Sequence, residues 1–145
     1  MTGSPVMTAE EVSRRLAALC LGGARGFPKK SRDRHILLAA ATLWMEPGAV
    51  YTEREVNDAL AQWLEEACPA LAVDVVSLRR ELVDFGYLDR DDSGTHYSGG
   101  PGPAEWRFAD DVADVDPIDV MRAARAEREA RRRAYEASRA SKDEE

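Results

Sequence analysis

Arginine is the residue type in this chain best placed to do chemistry. In Val75-Val76-Ser77-Leu78-Arg79-Arg80-Glu81-Leu82 two adjacent guanidinium groups fall outside the apolar positions of a helix, and Arg90 and Thr95 follow in a turn-rich segment. A guanidinium fork can pair both acceptors of a guanine edge or grip a phosphate, so Ser77, Arg79, Arg80, Arg90 and Thr95 are candidate nucleic-acid contacts. The same stretch also carries Asp74, Glu81, Asp84, Asp89, Asp91 and Asp92, which would repel phosphate. Pairing of Arg79 and Arg80 with these acids on the surface is therefore the competing expectation. Lys29 and Lys30, with Arg32 and Arg34 close behind, form a second basic cluster that could meet a phosphate or an acidic partner. Trp106, Arg128 and Arg132 are candidate partner-binding residues, since an aromatic outside any apolar stripe and a run of arginines suit a protein surface.

Other chemistries find little footing. His35 and His96 lie far from each other in sequence, and no spacing joins them to Cys20 or Cys68 as metal ligands. No nucleophile elbow, phosphate loop or dinucleotide fingerprint occurs, so the expectation is a protein that is not an enzyme and takes no cofactor or metal. Two cysteines are too few for a disulfide framework, and a reduced, cytoplasmic setting is expected, with no bridge between them.

Positioning the arginines requires helices. Thr8-Ala9-Glu10-Glu11 can cap a first helix carrying Val12, Leu16, Leu19 and Cys20 on one side, which a glycine-rich connector ends. Ser31 is expected to cap a second helix with a stripe of Ile36, Ala39, Ala40, Leu43 and Trp44, stopped by Pro47 and Gly48. Thr52 and Glu55 form a capping box for a third helix, with Val56, Ala59, Leu60, Trp63 and Leu64 as its stripe. Asp74 caps the helix that carries Arg79 and Arg80, whose inner side is Val75, Leu78, Leu82 and Phe85, and Gly86 closes it.

Leu88 and Tyr97 then suit a short hairpin turned by Asp92-Ser93-Gly94. The partner of Leu88 is either Thr95–Tyr97 or Glu105–Phe108, or both with the glycine and proline tract looped out. Three apolar helices and a hairpin make a mainly α chain with a winged helix-turn-helix, flanked by an extra N-terminal helix and a long C-terminal helix. The expected divisions are an N-terminal helix and Gly-rich connector at 1–26, the winged-helix-like domain at 27–108, an acidic linker at 109–116, and a charged C-terminal helix and tail at 117–145. In that last helix Asp116-Pro117 marks the start, and only its first turns, with Ile118 and Met121, have apolar residues to dock.

With 20 basic and 27 acidic residues the formal net charge is -7, which works against unselective attraction to DNA or anionic lipid. Contact with nucleic acid must come from a local patch. No apolar run approaches the ~20 residues of a membrane span, so no membrane partner is expected. The partners that remain are DNA, a protein, or a second copy of the chain.

Phe27-Pro28-Lys29-Lys30, Pro47-Gly48, Tyr51-Thr52-Glu53-x-Glu55-Val56-Asn57 and Leu78-Arg79-Arg80-Glu81-Leu82-Val83-Asp84, followed by Gly86, Leu88, Arg90 and Tyr97, together resemble a bacterial domain of unknown function, family twenty eighty-seven. The likeness runs over residues 27–97. It implies a helix-turn-helix or winged-helix fold and an association with transcriptional regulation, in a family whose members can carry a separate DNA-binding domain at the N-terminus. The segment from Trp63 to Val76 is longer than the family pattern. Tyr97, the glycine and proline tract and Trp106 stand where an aromatic pair is usual. The function expected from residues and resemblance together is DNA binding through the third core helix and wing. The alternative is a protein–protein interaction module on the same scaffold.

Overall fold

The structure, a computed structural model, describes residues 6–22 and 26–143. It is mainly helical, with two small sheets. In chain order the elements are β1 (Val6–Met7), α1 (Ala9–Leu21), α2 (Ser31–Ala40), β2 (Tyr51–Thr52), α3 (Glu53–Glu66), α4 (Val75–Asp84), β3 (Leu88–Arg90), β4 (His96–Gly99), β5 (Arg107–Phe108), a 3-10 helix (Asp110–Asp114) and α5 (Pro117–Asp143).

The caps read from sequence form, with one exception. Thr8 Oγ1 accepts from the Glu11 amide at 3.2 Å, and Thr52 and Glu55 exchange both bonds of the capping box at 3.2 and 3.0 Å. Asp74 Oδ1 accepts from the Ser77 amide at 2.7 Å. Ser31 does not cap α2. It is the first helical residue, and Lys30 occupies the cap position without a side-chain bond. The α-helix also ends at Ala40, and turns carry the chain on through Trp44. Its expected one-sided stripe is too narrow, because Leu37 and Leu38 are buried as fully as Ile36. The second half of α2, Ile36 to Ala40, is buried all round, as a segment apolar on every side requires.

Around α2 the other helices bury one face each. Val12 and Leu16 of α1, Val56 and Leu60 of α3, and Leu78 and Leu82 of α4 are all 0% exposed. α1 is further clamped to α2 by Arg15, whose Nε and Nη2 reach Asp33 Oδ1 at 3.2 and 3.0 Å while Nη2 reaches Oδ2 at 2.9 Å. Charge-assisted forked pairs of this kind fix orientation as well as adding energy. Asp33 can be buried because Arg15 satisfies it.

The question of the hairpin partner is answered by β4. Leu88 pairs with Gly99 and Arg90 with Tyr97, antiparallel, and β4 pairs on its other side with β2. Residues Arg107 and Phe108 go elsewhere: β5 runs parallel to β1, with Val6 opposite Arg107 and Met7 opposite Phe108. The glycine and proline tract between them is irregular yet fixed. Gly100 N–H donates to the Tyr87 carbonyl and Gly102 N–H to the Gly86 carbonyl, each at 2.9 Å. The stretch expected as an acidic linker instead forms the 3-10 helix, with Val112 buried. Its Asp111 caps α1 from outside by accepting the Ala9 amide at 3.2 Å.

In α5 the first turns dock and the rest does not. Asp116 Oδ1 accepts the amides of Ile118 and Asp119, and Met121 is 0% exposed. From Arg131 to Lys142 every residue is exposed. No helix among the described residues is long and apolar enough to cross a membrane.

Candidate functional site: an arginine cleft between α4 and the hairpin

Leu78 and Leu82 set the rotation of α4, because both must face the core. That leaves Ser77, Arg80 and Asp84 outward and Arg79 on the flank toward α3. The β3–β4 hairpin lies beside α4, held by buried Leu88 and Tyr97. Between them is a cleft of about 180 Å³ lined by Arg79, Arg80, Val83, Asp84, Arg90 and Tyr97. Three of the seven residues expected to contact nucleic acid are thus brought together.

They are not equivalent. Arg79 donates to Asn57 Oδ1, lies 3.3 Å from Glu53 Oε1, and its guanidinium sits 5.9 Å from the centroid of the Tyr97 ring. Its charge is largely answered inside the fold. Arg80 and Arg90 are exposed, and Asp84 is the single carboxylate in the cleft lining. Glu81 is turned away to Arg34, at 3.6 Å. The expected surface pairing with neighbouring acids therefore applies to Arg79, through Glu53 on another helix, while no ion pair to Arg80 or Arg90 occurs among the described residues.

Ser77 and Thr95 do not line the cleft. Thr95 is committed to the hairpin turn: its amide and hydroxyl both donate to Asp91, at 2.8 and 3.1 Å. Asp91 also accepts from the His96 amide and the Ser93 hydroxyl. These donors, led by the His96 backbone N–H, hold the Asp91 carboxyl well below the usual carboxylate range. The wing acids are thus partly structural. Asp91 builds the turn over which the Arg90 guanidinium folds, within 3.4 Å of where a side chain at Gly94 would begin.

Of the remaining candidates, Lys29 and Lys30 are exposed at the start of α2 and do not line the cleft. Trp106 is stacked on His35, with centroids 5.4 Å apart and planes at 19°. Arg128 donates to the Leu21 carbonyl at 3.2 Å, and Arg132 lies 3.4 Å from Glu129 and 3.7 Å from Glu136 on its own helix.

Sequence reasoning passed over Asn57, Glu53 and Tyr97 as site residues. Glu53 and Asn57 stand four apart on α3, a spacing that puts two polar groups on one helix face, and that was the available signal. It also passed over the aromatic nest around His35, whose Nδ1 is 2.9 Å from the Tyr87 hydroxyl and whose ring meets Phe85 edge-on at 4.9 Å. A larger and mainly apolar cavity, about 390 Å³, lies apart from the arginines between Trp44, Trp63, Pro117 and Ile118.

No curated protein and no solved structure matches the chain. The sequence model of a family described as an uncharacterized protein conserved in bacteria, DUF2087, matches residues 25–98, a span that holds α2, α3, α4 and nearly all of the hairpin, and the chain belongs to that family.

Proposed function

We propose that the protein is a winged helix-turn-helix protein associated with transcriptional regulation, binding DNA through α4 and the β3–β4 hairpin. The observation that carries this reading is the convergence of Arg79, Arg80 and Arg90 on one cleft, with Arg80 and Arg90 unpaired by carboxylates among the described residues. In helix-turn-helix binding the second helix of the motif enters the major groove and flanking groups fix the phosphates. Arg80 then faces base edges or phosphate, Arg90 takes a phosphate from the hairpin, and Arg79 holds α4 against α3 and Tyr97.

Fluorescence anisotropy of a labelled duplex at low salt tests the reading. The full chain is expected to bind with an affinity that falls as salt rises. Replacing Arg80 and Arg90 by alanine together is expected to weaken binding about tenfold or more and to lower the salt slope by about two, one for each phosphate that the protein no longer neutralises. Absence of binding at low salt, or binding indifferent to the double substitution, refutes it.

A second reading, a protein–protein interaction module on the same scaffold, draws on the exposed length of α5 beyond Ala130. It predicts a dimer or heteromeric complex in light scattering that is lost when residues 131–145 are removed.

A further inference from the structure

A cavity of about 390 Å³ lies between the turn that follows α2, one side of α3 and the start of α5. Trp44, Trp63, Pro117 and Ile118 form much of its wall, and Asp116 is the only acidic or basic residue among its described lining residues. The two indoles differ in what their N–H groups meet. That of Trp44 donates to the Ala41 carbonyl at 2.7 Å, and its ring meets Tyr51 edge-on with centroids 5.0 Å apart, so this wall is already fixed. Trp63 is 3% exposed, and its Nε1 is buried without a hydrogen-bond partner among the described residues. A buried donor left unpaired is rare and costly, and here it belongs to a residue that borders a mainly apolar space.

We propose that this cavity binds an uncharged, planar aromatic molecule of two or three rings that carries a carbonyl, whose oxygen accepts from the Trp63 indole N–H. Size sets the first part of this description. A dry cavity of about 150 Å³ takes one benzene ring, so one of about 390 Å³ has room for two or three. Indole walls with aliphatic neighbours favour flat apolar ligands through stacking and burial. The polar groups set the rest. Trp63 calls for an acceptor, because an indole nitrogen only donates. Gln62, also in the lining, is exposed and gives its amide nitrogen to Glu66 at 3.3 Å. Asp116 is exposed, accepts the Ile118 and Asp119 amides through Oδ1, and as a carboxylate repels an anionic ligand. A neutral carbonyl compound is admitted and a carboxylic acid is disfavoured.

Because the walls come from α3 and from Pro117 and Ile118 at the start of α5, the bound molecule joins the two helices. Binding to the folded chain alone raises its stability by an amount that grows with ligand concentration, and it slows amide exchange in the first turns of α5. The site is separate from the arginine cleft, since the two linings share no residue, and the inference does not depend on DNA binding.

The test titrates coumarin, two fused rings with a ring carbonyl, into the isotope-labelled full chain and follows the indole N–H signals by NMR. The chain has three tryptophans, and Trp63→Phe, which keeps a ring but removes the N–H, identifies the Trp63 signal by its loss. The expected result is a saturable downfield movement of that signal. Coumarin should bind severalfold more tightly than naphthalene, which has the same outline and no acceptor, and also severalfold more tightly than naphthoate, which adds a negative charge. Trp63→Phe should bring coumarin down to the level of naphthalene, and Ala59→Phe, which adds a ring at a lining position, should abolish binding of both. Should Trp63→Phe fail to fold, the ligand series and Ala59→Phe decide. No saturable binding of coumarin, equal affinity for coumarin and naphthalene, or binding that survives Ala59→Phe overturns the proposal. Equal affinity for naphthoate overturns the selection against charge. Indole signals that move with protein concentration and not with coumarin place a second copy of the chain in the cavity, and that also overturns it.

Discussion

At position 35 a histidine is enclosed by Phe85, Tyr87 and Trp106, and this enclosure sets how it responds to acid. Burial lowers its pKa from the ordinary 6.5, opposed by the nearby Glu105 carboxylate and aided by Arg34. Burial also raises the Tyr87 phenol pKa, and its hydroxyl shares a 2.9 Å hydrogen bond with His35 Nδ1. In the unfolded chain His35 takes up its proton near 6.5, whereas in the folded chain it does so only at lower pH. The stability contributed by neutral His35 is thus present above that value and is lost as pH falls below it. Urea unfolding at several pH values should show a drop in stability between neutral and mildly acidic pH. His35→Gln, which keeps a hydrogen-bonding group for Tyr87 but does not titrate there, should flatten that part of the profile. An identical slope in the variant assigns the acid sensitivity to other groups.

For the elements, capping and close backbone approach decide what a substitution costs. Thr52 satisfies the amide of Glu55 at the start of α3 and also pairs with His96 in the sheet, so it joins the helix to the hairpin. Thr52→Ala should lower stability by about 1 kcal/mol, the usual cost of losing an N-cap, measured as a shift of the urea midpoint without change in slope. Gly100 is far less forgiving. A Cβ there would lie 2.1 Å from the Gly86 carbonyl oxygen, a backbone atom that also accepts from Gly102. Gly100→Ala must therefore separate the tract from the hairpin, and it should speed amide exchange at Gly100 and Gly102 above that of Leu78 and Leu82. Equal protection in the variant would mean that the tract accommodates the methyl group. The glycines in this region act by proximity as well as by φ: Gly86, at φ 80°, takes the left-handed conformation that ends α4 and starts the hairpin.

At the level of the whole molecule, α5 divides into a docked start and an exposed remainder. Met121 is buried and in the same core as Val12 and Leu16, so Met121→Ala should cost about 2–5 kcal/mol through lost burial and a residual cavity. Removing residues 132–145 should change stability by no more than about 0.5 kcal/mol, since the side chains from Arg132 to Lys142 are exposed and paired at most with one another or with Glu129. Thermal unfolding of the two variants side by side tests the division. A large loss on truncation would mean that the exposed turns of α5 carry packing. The net charge of -7 adds a further consequence: the proposed DNA binding has to rest on a local basic patch and not on overall attraction.

By itself the sequence determined what depends on neighbours within a turn or two: the caps at Thr8, Thr52 and Asp74, the buried faces of α1, α3 and α4, the closing role of Gly86, and the docked first turns of α5. Each of these is settled by local hydrogen bonding or by the 3.6-residue period, which a chain displays without knowing its fold. Tertiary structure alone decided the rest. The partner of Leu88 was open because two short segments had equal claim, and it was settled when β5 paired with β1, a partner at the far end of the chain. The commitment of Arg79 to Asn57 and Glu53 and the freedom of Arg80 beside it are likewise set by packing between distant segments. Adjacent arginines look alike in sequence, and only the neighbours that packing supplies make one a brace and leave the other open to a ligand.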